Sequence, residues 1–175
     1  MMQYSKRMVM VHWLTLALLV VAWYLGDSLG DATDDSKATL AGYVVHIAVG
    51  GTVLLLTLFR LFFRCKDGVP APIGNTAMDK LAKGIQHLLY AILLLLPISG
   101  IMTVFTSTAG KALLAGDASL LPKEHGYHHV FAHAVHEQLV NVLIALVVLH
   151  ILGAIKHQFL MKDGLMKRMT LSKKD

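Results

Sequence analysis

Four long runs of apolar residues alternate with polar segments along the chain. Most reach or exceed the roughly 20 residues that an α-helix needs to cross a bilayer. Pro97 lies inside the third run, where neighbouring membrane helices can satisfy the carbonyl group that proline leaves free. The pattern predicts an all-α membrane protein, a four-transmembrane-helix bundle in one domain over residues 1–175. The predicted spans cover about residues 8–26, 40–63, 84–106 and 129–160.

The composition supports this prediction. Apolar residues make up 55% of the chain and charged residues only 15%, which is too apolar for a soluble domain of this size. The first run is longer than the apolar region of a signal peptide, and no small-x-small cleavage site follows it. The single cysteine, Cys65, excludes a disulfide framework and a cysteine-held iron–sulfur cluster. The absence of CxxCH excludes covalently attached haem.

Basic residues fall mainly on one side of the predicted bundle. Four spans place both termini on the same side, and only Lys37, Lys111 and Lys123 fall on the other. The positive-inside rule therefore predicts cytoplasmic termini, with the acidic segment 27–39 and the His-rich segment 107–127 facing outward. Because the positive charge flanks apolar runs, no nucleic-acid partner is expected. The thirteen basic residues on the terminal side are Lys6, Arg7, Arg60, Arg64, Lys66, Lys80, Lys83, Lys156, Lys162, Lys167, Arg168, Lys173 and Lys174.

Histidines at two depths are the main chemical signal. His136 and His150 are fourteen residues apart, so they lie on nearly one helix face with a separation of about 21 Å along the axis. By depth, His46 pairs with His136 near the outer surface, and His12 pairs with His150 toward the cytoplasm. A lone histidine at a helix end usually bonds to a headgroup or the backbone, but these pairs suit the two axial positions of b-type haem. The sequence predicts two non-covalent b haems whose iron is bound by His12, His46, His136 and His150.

Two features of the second run support haem binding. Arg60 lies fourteen residues after His46, at the depth of the inner haem, and a guanidinium matches a propionate carboxylate. Its alternative role is to extend toward lipid headgroups. Gly50 and Gly51 follow His46 by one turn, where they would allow a flat macrocycle to approach or another helix to pack closely.

The other histidines have open roles. His87 and His157 lie near the cytoplasmic side and are candidates for a quinone site, or else interfacial residues. His129, His133 and His136 have spacings that could bind zinc or copper. A solvated extension of the fourth helix, or an electrostatic patch for an anionic substrate, explains the same outer cluster. That cluster consists of His125, His128, His129 and His133.

The ordered set of motifs resembles the bacterial di-haem cytochrome b561 family, the small four-helix proteins related to the cytochrome subunits of hydrogenases. The resemblance covers nearly the whole chain. It implies two b haems on the same four histidines, location in the bacterial inner membrane, and electron exchange with ubiquinone. For the best-understood relatives it also implies oxidation of superoxide at the outer side. The matching pieces are Tyr4-Ser5, His12-Trp13, His46 followed by glycine, Arg60 to Arg64, Leu96-Pro97-Ile98-Ser99-Gly100, His136-Glu137, His150 and His157.

These observations lead to one main hypothesis of function and two alternatives. The main hypothesis is a superoxide:ubiquinone oxidoreductase in the lipid bilayer, in which Lys111, Lys123 and protonated histidines attract superoxide. The quinone site is expected near His87, Lys156 and His157. The first alternative is a relay subunit that links the quinone pool to a partner redox protein. The second is a haem-free transporter or metal-handling protein, which would be colourless.

Overall fold

The computed structural model describes residues 3–30, 40–71, 74–121 and 130–171. Helices account for the regular structure of this part of the chain, which confirms the predicted all-α fold. Four of them are long and apolar enough to cross a membrane. The helices are α1 (Lys6–Gly30), α2 (Leu40–Asp67), α3 (Ala77–Thr106), α4 (Thr108–Ala115) and α5 (Phe131–Ile155).

The long helices pack as two antiparallel pairs, α1 with α2 and α3 with α5, and α2 also contacts α3. We call the end where α1 begins and α2 ends the basic end, and the opposite end the α4 end. By contrast, the backbone of α5 makes at most sparse contact with the backbones of α1 and α2. Side chains therefore bridge the space between α5 and the α1–α2 pair.

The interior of the bundle is small and its surface is apolar. Ile92, Leu143 and Leu146 form a buried cluster between α3 and α5, against which Leu19 of α1 also packs. Large apolar side chains cover the outer faces, as expected where lipid replaces water around the helices. They include Val20, Trp23, Leu55, Phe59, Leu88, Leu95, Val148 and Leu152.

Helix α3 begins seven residues before the predicted span. Thr76 and Asp79 form a capping box, in which the Thr76 hydroxyl accepts from the Asp79 N–H at 3.3 Å and the Thr76 N–H donates to Asp79 Oδ2 at 2.8 Å. This cap satisfies backbone groups at the helix start. Hydropathy marks where a helix becomes apolar, whereas the cap decides where it begins.

The segment that the sequence predicts as the third loop contains helix α4. Gly110 allows the sharp corner after α3, because a Cβ atom there would lie 2.3 Å from the Val104 carbonyl oxygen. Buried Ala109 and Ala112 pack α4 against Tyr43 at the start of α2. The helix ends at Gly116, which has a left-handed conformation with φ of 65°. Small residues packing on an aromatic ring thus order part of a segment whose composition resembles a loop.

The chain folds back under the bundle after α5. A π-helical turn, Lys156–Met161, and a 3₁₀ turn, Leu165–Met169, are joined through left-handed Lys162 and Gly164. We call residues 156–169 the fold-back segment. The Trp13 indole N–H donates to the Met169 carbonyl at 3.1 Å and thereby holds the segment against α1.

Candidate functional site

His46 of α2 and His136 of α5 face each other toward the α4 end. Both side chains are half-buried, and their ring centres are 6.3 Å apart with the planes inclined by 78°. These helices make little direct backbone contact, so the imidazoles extend into the space between the helix pairs. The sequence placed these two residues at one depth, and the structure brings their rings together.

Helix α3 holds the His136 ring in one orientation. Nδ1 of His136 lies 3.0 Å from the Leu96 carbonyl oxygen and 2.9 Å from the Ser99 hydroxyl oxygen. The Ser99 hydroxyl donates to the same Leu96 carbonyl at 2.7 Å. A carbonyl oxygen only accepts, so the ring hydrogen lies on Nδ1 and the Nε2 lone pair is free. That is the tautomer of a metal-binding histidine whose other nitrogen is anchored by the backbone.

The second pair lies toward the basic end. The ring centres of His12 of α1 and His150 of α5 are 6.2 Å apart, with the planes inclined by 73°. Both side chains are half-buried. The chain therefore presents two imidazole pairs, separated along α5 by fourteen residues or about 21 Å of helix.

Arg60 of α2 joins the second pair. Its NH1 group contacts Nδ1 of His12, and its guanidinium lies over the Tyr90 ring of α3 at 5.7 Å from the ring centre. Its Nε is buried and has no hydrogen-bond partner in the described structure. The side chain is directed into the bundle and not toward headgroups. A buried, unpaired guanidinium donor is suited to receive a carboxylate.

Each pair has the spacing needed to hold one metal ion. Two imidazoles bonded to one iron at about 2.0 Å would place their ring centres roughly 6.3 Å apart. The observed distances are 6.2 and 6.3 Å. The donor types also fit, because bis-imidazole ligation is a b-haem environment, and at the second pair the Arg60 guanidinium lies beside the rings. Both pairs therefore pass this test as haem sites.

Gly50 and Gly51 are not explained by helix packing. A Cβ atom at either position would meet no protein atom within 4 Å. The space beside them is open among the described residues, which leaves room for a bound group.

His157, a predicted quinone-site residue, lies in the fold-back segment. Its Nδ1 is 2.5 Å from Asp163 Oδ2, and both side chains are largely shielded from solvent. Asp163 Oδ1 accepts from the Leu165 N–H at 2.9 Å. Burial opposes ionisation of this carboxyl, but the hydrogen bonds from His157 and Leu165 and the charges of His157 and Arg168 hold the pKa of Asp163 below its ordinary value. His157 is thus oriented by an ionised carboxylate.

The remaining predicted residues lie apart from the histidine pairs. His87 is exposed on α3, and Lys111 is exposed on α4. In the described part of the chain no three histidine, cysteine, aspartate or glutamate side chains gather as a metal site. The predicted outer cluster cannot be placed, since His125, His128 and His129, like Lys123, lie outside the described residues.

The α4 end carries the carboxylate of Asp117 as well as the amine of Lys111. Hydrogen bonds from Ser119 hold the pKa of Asp117 below its ordinary value. This carboxylate is therefore ionised at neutral pH, and the electrostatic field for an approaching anion is mixed and not uniformly positive.

Residues 3–171 match the family described as prokaryotic cytochrome b561. The chain belongs to this family. It is 32% identical over 170 residues to the protein named cytochrome b562 of Cereibacter sphaeroides, a match that covers 95% of this chain and 94% of that protein. It is 25% identical over 177 residues to the probable superoxide oxidase CybB of Yersinia pestis, across 98% of each chain. It is 24% identical over 169 residues to cytochrome b561 homolog 1 of Escherichia coli strain K12, across 95% of this chain and 96% of that one.

Membership defines the general chemistry of this cytochrome b561-family protein. It is a multi-pass bacterial membrane protein of a b-type haem family that transfers electrons. Sequence reasoning missed the Leu96 carbonyl and Asp163, which orient His136 and His157. It also missed Tyr90, whose ring lies against the Arg60 guanidinium. In the sequence, Leu96 stands out only as part of the motif Leu96–Gly100, to which no physical role could be assigned. Its contact with His136 is not predictable, because partners on different helices have no fixed spacing in sequence.

Proposed function

We propose that this protein binds two b haems and transfers electrons from superoxide at the α4 end to ubiquinone. His46 and His136 would hold one haem, and His12 and His150 the other. The observation that carries the proposal is the pair of ring spacings, 6.3 and 6.2 Å, between helices with little backbone contact. When bound, haem supplies a one-electron iron couple whose potential depends on its ligands and burial.

The hydrogen bonding of the Nδ1 atom differs between His136 at the α4 end and His12 at the basic end. The Leu96 carbonyl keeps Nε2 of His136 free of hydrogen. Arg60 instead donates to Nδ1 of His12, which places the hydrogen of the neutral ring on Nε2. Iron binding through Nε2 needs the opposite tautomer. Ligation would therefore release the Arg60 guanidinium from the ring and make it available to a propionate.

The reaction requires charge and proton balance. Two superoxide anions give up two electrons and leave as dioxygen, and one ubiquinone takes these electrons with two protons to form ubiquinol. Lys111 is the described cation that would attract superoxide at the α4 end, against the opposing charge of Asp117. At the basic end, His157 held by Asp163 could hydrogen-bond a quinone oxygen. Exposed His87 is the weaker quinone candidate.

The orientation is part of the proposal. Both termini and the basic end would lie in the cytoplasm, and the α4 end would face outward from the bacterial inner membrane. The positive-inside distribution supports this arrangement. Superoxide would then be consumed outside the membrane, while quinone protons would come from the side of His157.

Purified protein in detergent tests the haem assignment. We expect a b-type absorption spectrum and two haems per chain, falling to about one in His136→Ala or His12→Ala. Gln138→Ala is the matched control, because Gln138 is exposed on α5 close to His136. A colourless wild-type protein would exclude the proposal, as would four single histidine variants that each keep two haems.

Superoxide consumption in the presence of ubiquinone tests the electron donor. We expect catalysis above the rate of the His136→Ala variant, with ubiquinol formed in a 1:2 ratio to superoxide consumed. The alternative is a relay cytochrome that serves a partner redox protein. It is favoured by the relative at 32% identity, whose name, cytochrome b562, carries no reference to superoxide. Two bound haems without superoxide-dependent quinone reduction would support the relay.

A further inference from the structure

The two histidines at the α4 end rest on glycines of neighbouring helices in nearly the same way. A Cβ atom at Gly26 of α1 would lie 3.1, 3.6 and 3.9 Å from Cε1, Nδ1 and Nε2 of His46. At Gly100 of α3 the corresponding distances to His136 are 3.1, 3.4 and 3.9 Å. Each imidazole therefore packs edge-on against a helix backbone at a point without a side chain.

Hydrogen bonding at the two rings differs. Nδ1 of His46 is buried and has no hydrogen-bond partner in the described structure. Nδ1 of His136 contacts the Leu96 carbonyl, four residues before Gly100. The α1–α2 pair and the α3–α5 pair thus share the contact between an imidazole and a glycine, and among the described residues only His136 adds a hydrogen bond to the backbone.

Four other helical glycines do not share this arrangement. A Cβ atom at Gly50, Gly51, Gly84 or Gly153 would meet no protein atom within 4 Å. The contacts at Gly26 and Gly100 are therefore specific to the histidine pair. The distance between a Cβ atom and a neighbouring heavy atom rarely falls below 3.4 Å in proteins. A methyl group at either position would therefore force the ring to shift by a few tenths of an ångström.

We infer that Gly26 and Gly100 are positioning residues that set the orientation of His46 and His136 at the haem of the α4 end, and that Ser99 assists at one of the two. This inference rests on the proposed haem sites and assigns residues that control one of them. Ser99 contacts the His136 ring nitrogen at 2.9 Å, whereas the residue before Gly26 is Leu25, which has no hydroxyl. The two ligands of one haem are therefore held by unequal hydrogen bonding.

The test compares the purified Gly26→Ala and Gly100→Ala proteins with Gly84→Ala. Alanine favours a helix over glycine at all three positions, so Gly84→Ala reproduces the backbone effect without a ring contact. We expect the low-spin EPR signal and the midpoint potential of one haem to shift in both ring-contact variants, while those of the other haem stay at wild-type values. The shifted signal should be the one that disappears in His136→Ala.

Ser99→Ala provides a second test that introduces no clash and applies even where the alanine variants fail to fold. We expect a shift confined to the same haem. Thr103→Ala is its control, since the buried Thr103 hydroxyl bonds to the Ser99 carbonyl and not to an imidazole. A wild-type protein with fewer than two haems would refute the proposed function itself. If the wild-type protein binds two haems, two results would overturn this inference alone. In the first, neither haem signal changes in Gly26→Ala, Gly100→Ala or Ser99→Ala. In the second, the signals of both haems shift by the same amount in these variants.

Discussion

Single residues differ in what they contribute to the two sites. A histidine supplies a donor atom, but a hydrogen bond at its other nitrogen decides whether that atom is free to bind a metal. Nδ1–H of His136 donates this hydrogen bond to a carbonyl of α3, while Nδ1 of His12 accepts from the Arg60 guanidinium. For these two histidines, a residue on another helix thus determines which ring nitrogen carries the hydrogen.

Replacing Arg60 by glutamine should lower the midpoint potential of the haem near the basic end. The guanidinium charge disfavours the more positive ferric state, so its loss stabilises oxidised iron. At an effective dielectric constant near 20, one charge at haem distance contributes on the order of 1–2 kcal/mol, or roughly 40–90 mV for one electron. A potentiometric titration followed by absorbance measures the shift.

Arg64→Gln is the control for this prediction. Arg64 also lies over the Tyr90 ring, with its guanidinium carbon 6.0 Å from the ring centre, whereas the hydrogen bond to His12 in the described structure comes from Arg60. An equal shift in both variants would assign the effect to general surface charge. No shift in Arg60→Gln would remove Arg60 from the haem site.

At the scale of elements, the fold-back segment closes the basic end. It is tied to the N-terminal residues, to α1 and to the loop after α2 by hydrogen bonds to backbone carbonyls. The donors are Gln3, Tyr4, Trp13 and Arg168. Its own turns contain the hydrogen bond between His157 and Asp163 and two left-handed residues. The segment places His157 beneath the bundle, which a continued straight helix would not do.

Removal of the Asp163 carboxylate should loosen this segment at neutral pH. The pKa of Asp163 is lowered in the folded protein, so its contribution to stability is present above the ordinary carboxyl pKa of about 3.9 and is lost as the pH falls through the folded value. In Asp163→Ala we expect amide hydrogen exchange in residues 156–169 to rise several-fold at pH 7. The wild-type protein should show such a rise only below about pH 4.

Asp117→Ala serves as the matched comparison. Asp117 also has a lowered pKa, but it caps a turn at the α4 end. Its loss should leave exchange in the fold-back segment unchanged. Equal exchange of residues 156–169 in Asp163→Ala and wild type would show that the Asp163 carboxylate does not hold the segment.

At the scale of the whole molecule, two helix pairs face each other with side chains between them. This arrangement places two imidazole pairs at different depths and leaves the lipid-facing surfaces apolar. An electron path of this kind requires the two ends of the bundle to face different compartments. The proposed orientation is therefore the property on which superoxide consumption outside the cell membrane depends.

Cysteine labelling in spheroplasts tests the orientation. Cys65 is the single cysteine of the chain and is exposed near the basic end. We expect a membrane-impermeant maleimide to leave it unlabelled until the membrane is opened. In a Cys65→Ser background, Asp117→Cys should be labelled in closed spheroplasts. The reverse pattern would place the termini outside and move the proposed superoxide site to the cytoplasm.

The sequence alone determined the helical class, the four apolar segments and the relative depths of His12, His46, His136 and His150, because helix rise and hydrophobic length depend only on local chain geometry. Those depths were sufficient to pair His46 with His136 and His12 with His150. They did not reveal helix α4, which is stabilised by packing on Tyr43, or the early start of α3, which depends on a cap.

Only the tertiary structure decided how the imidazoles are held. Ring spacing, tautomer and the glycines beneath the rings depend on atoms of different helices meeting at distances of about 3 Å, as the contacts of His136 with Leu96 and Gly100 show. No periodicity in one segment encodes such a meeting. The sequence therefore indicated which histidines share a depth, and the packing of the helix pairs decided how their rings face each other and which groups hold them.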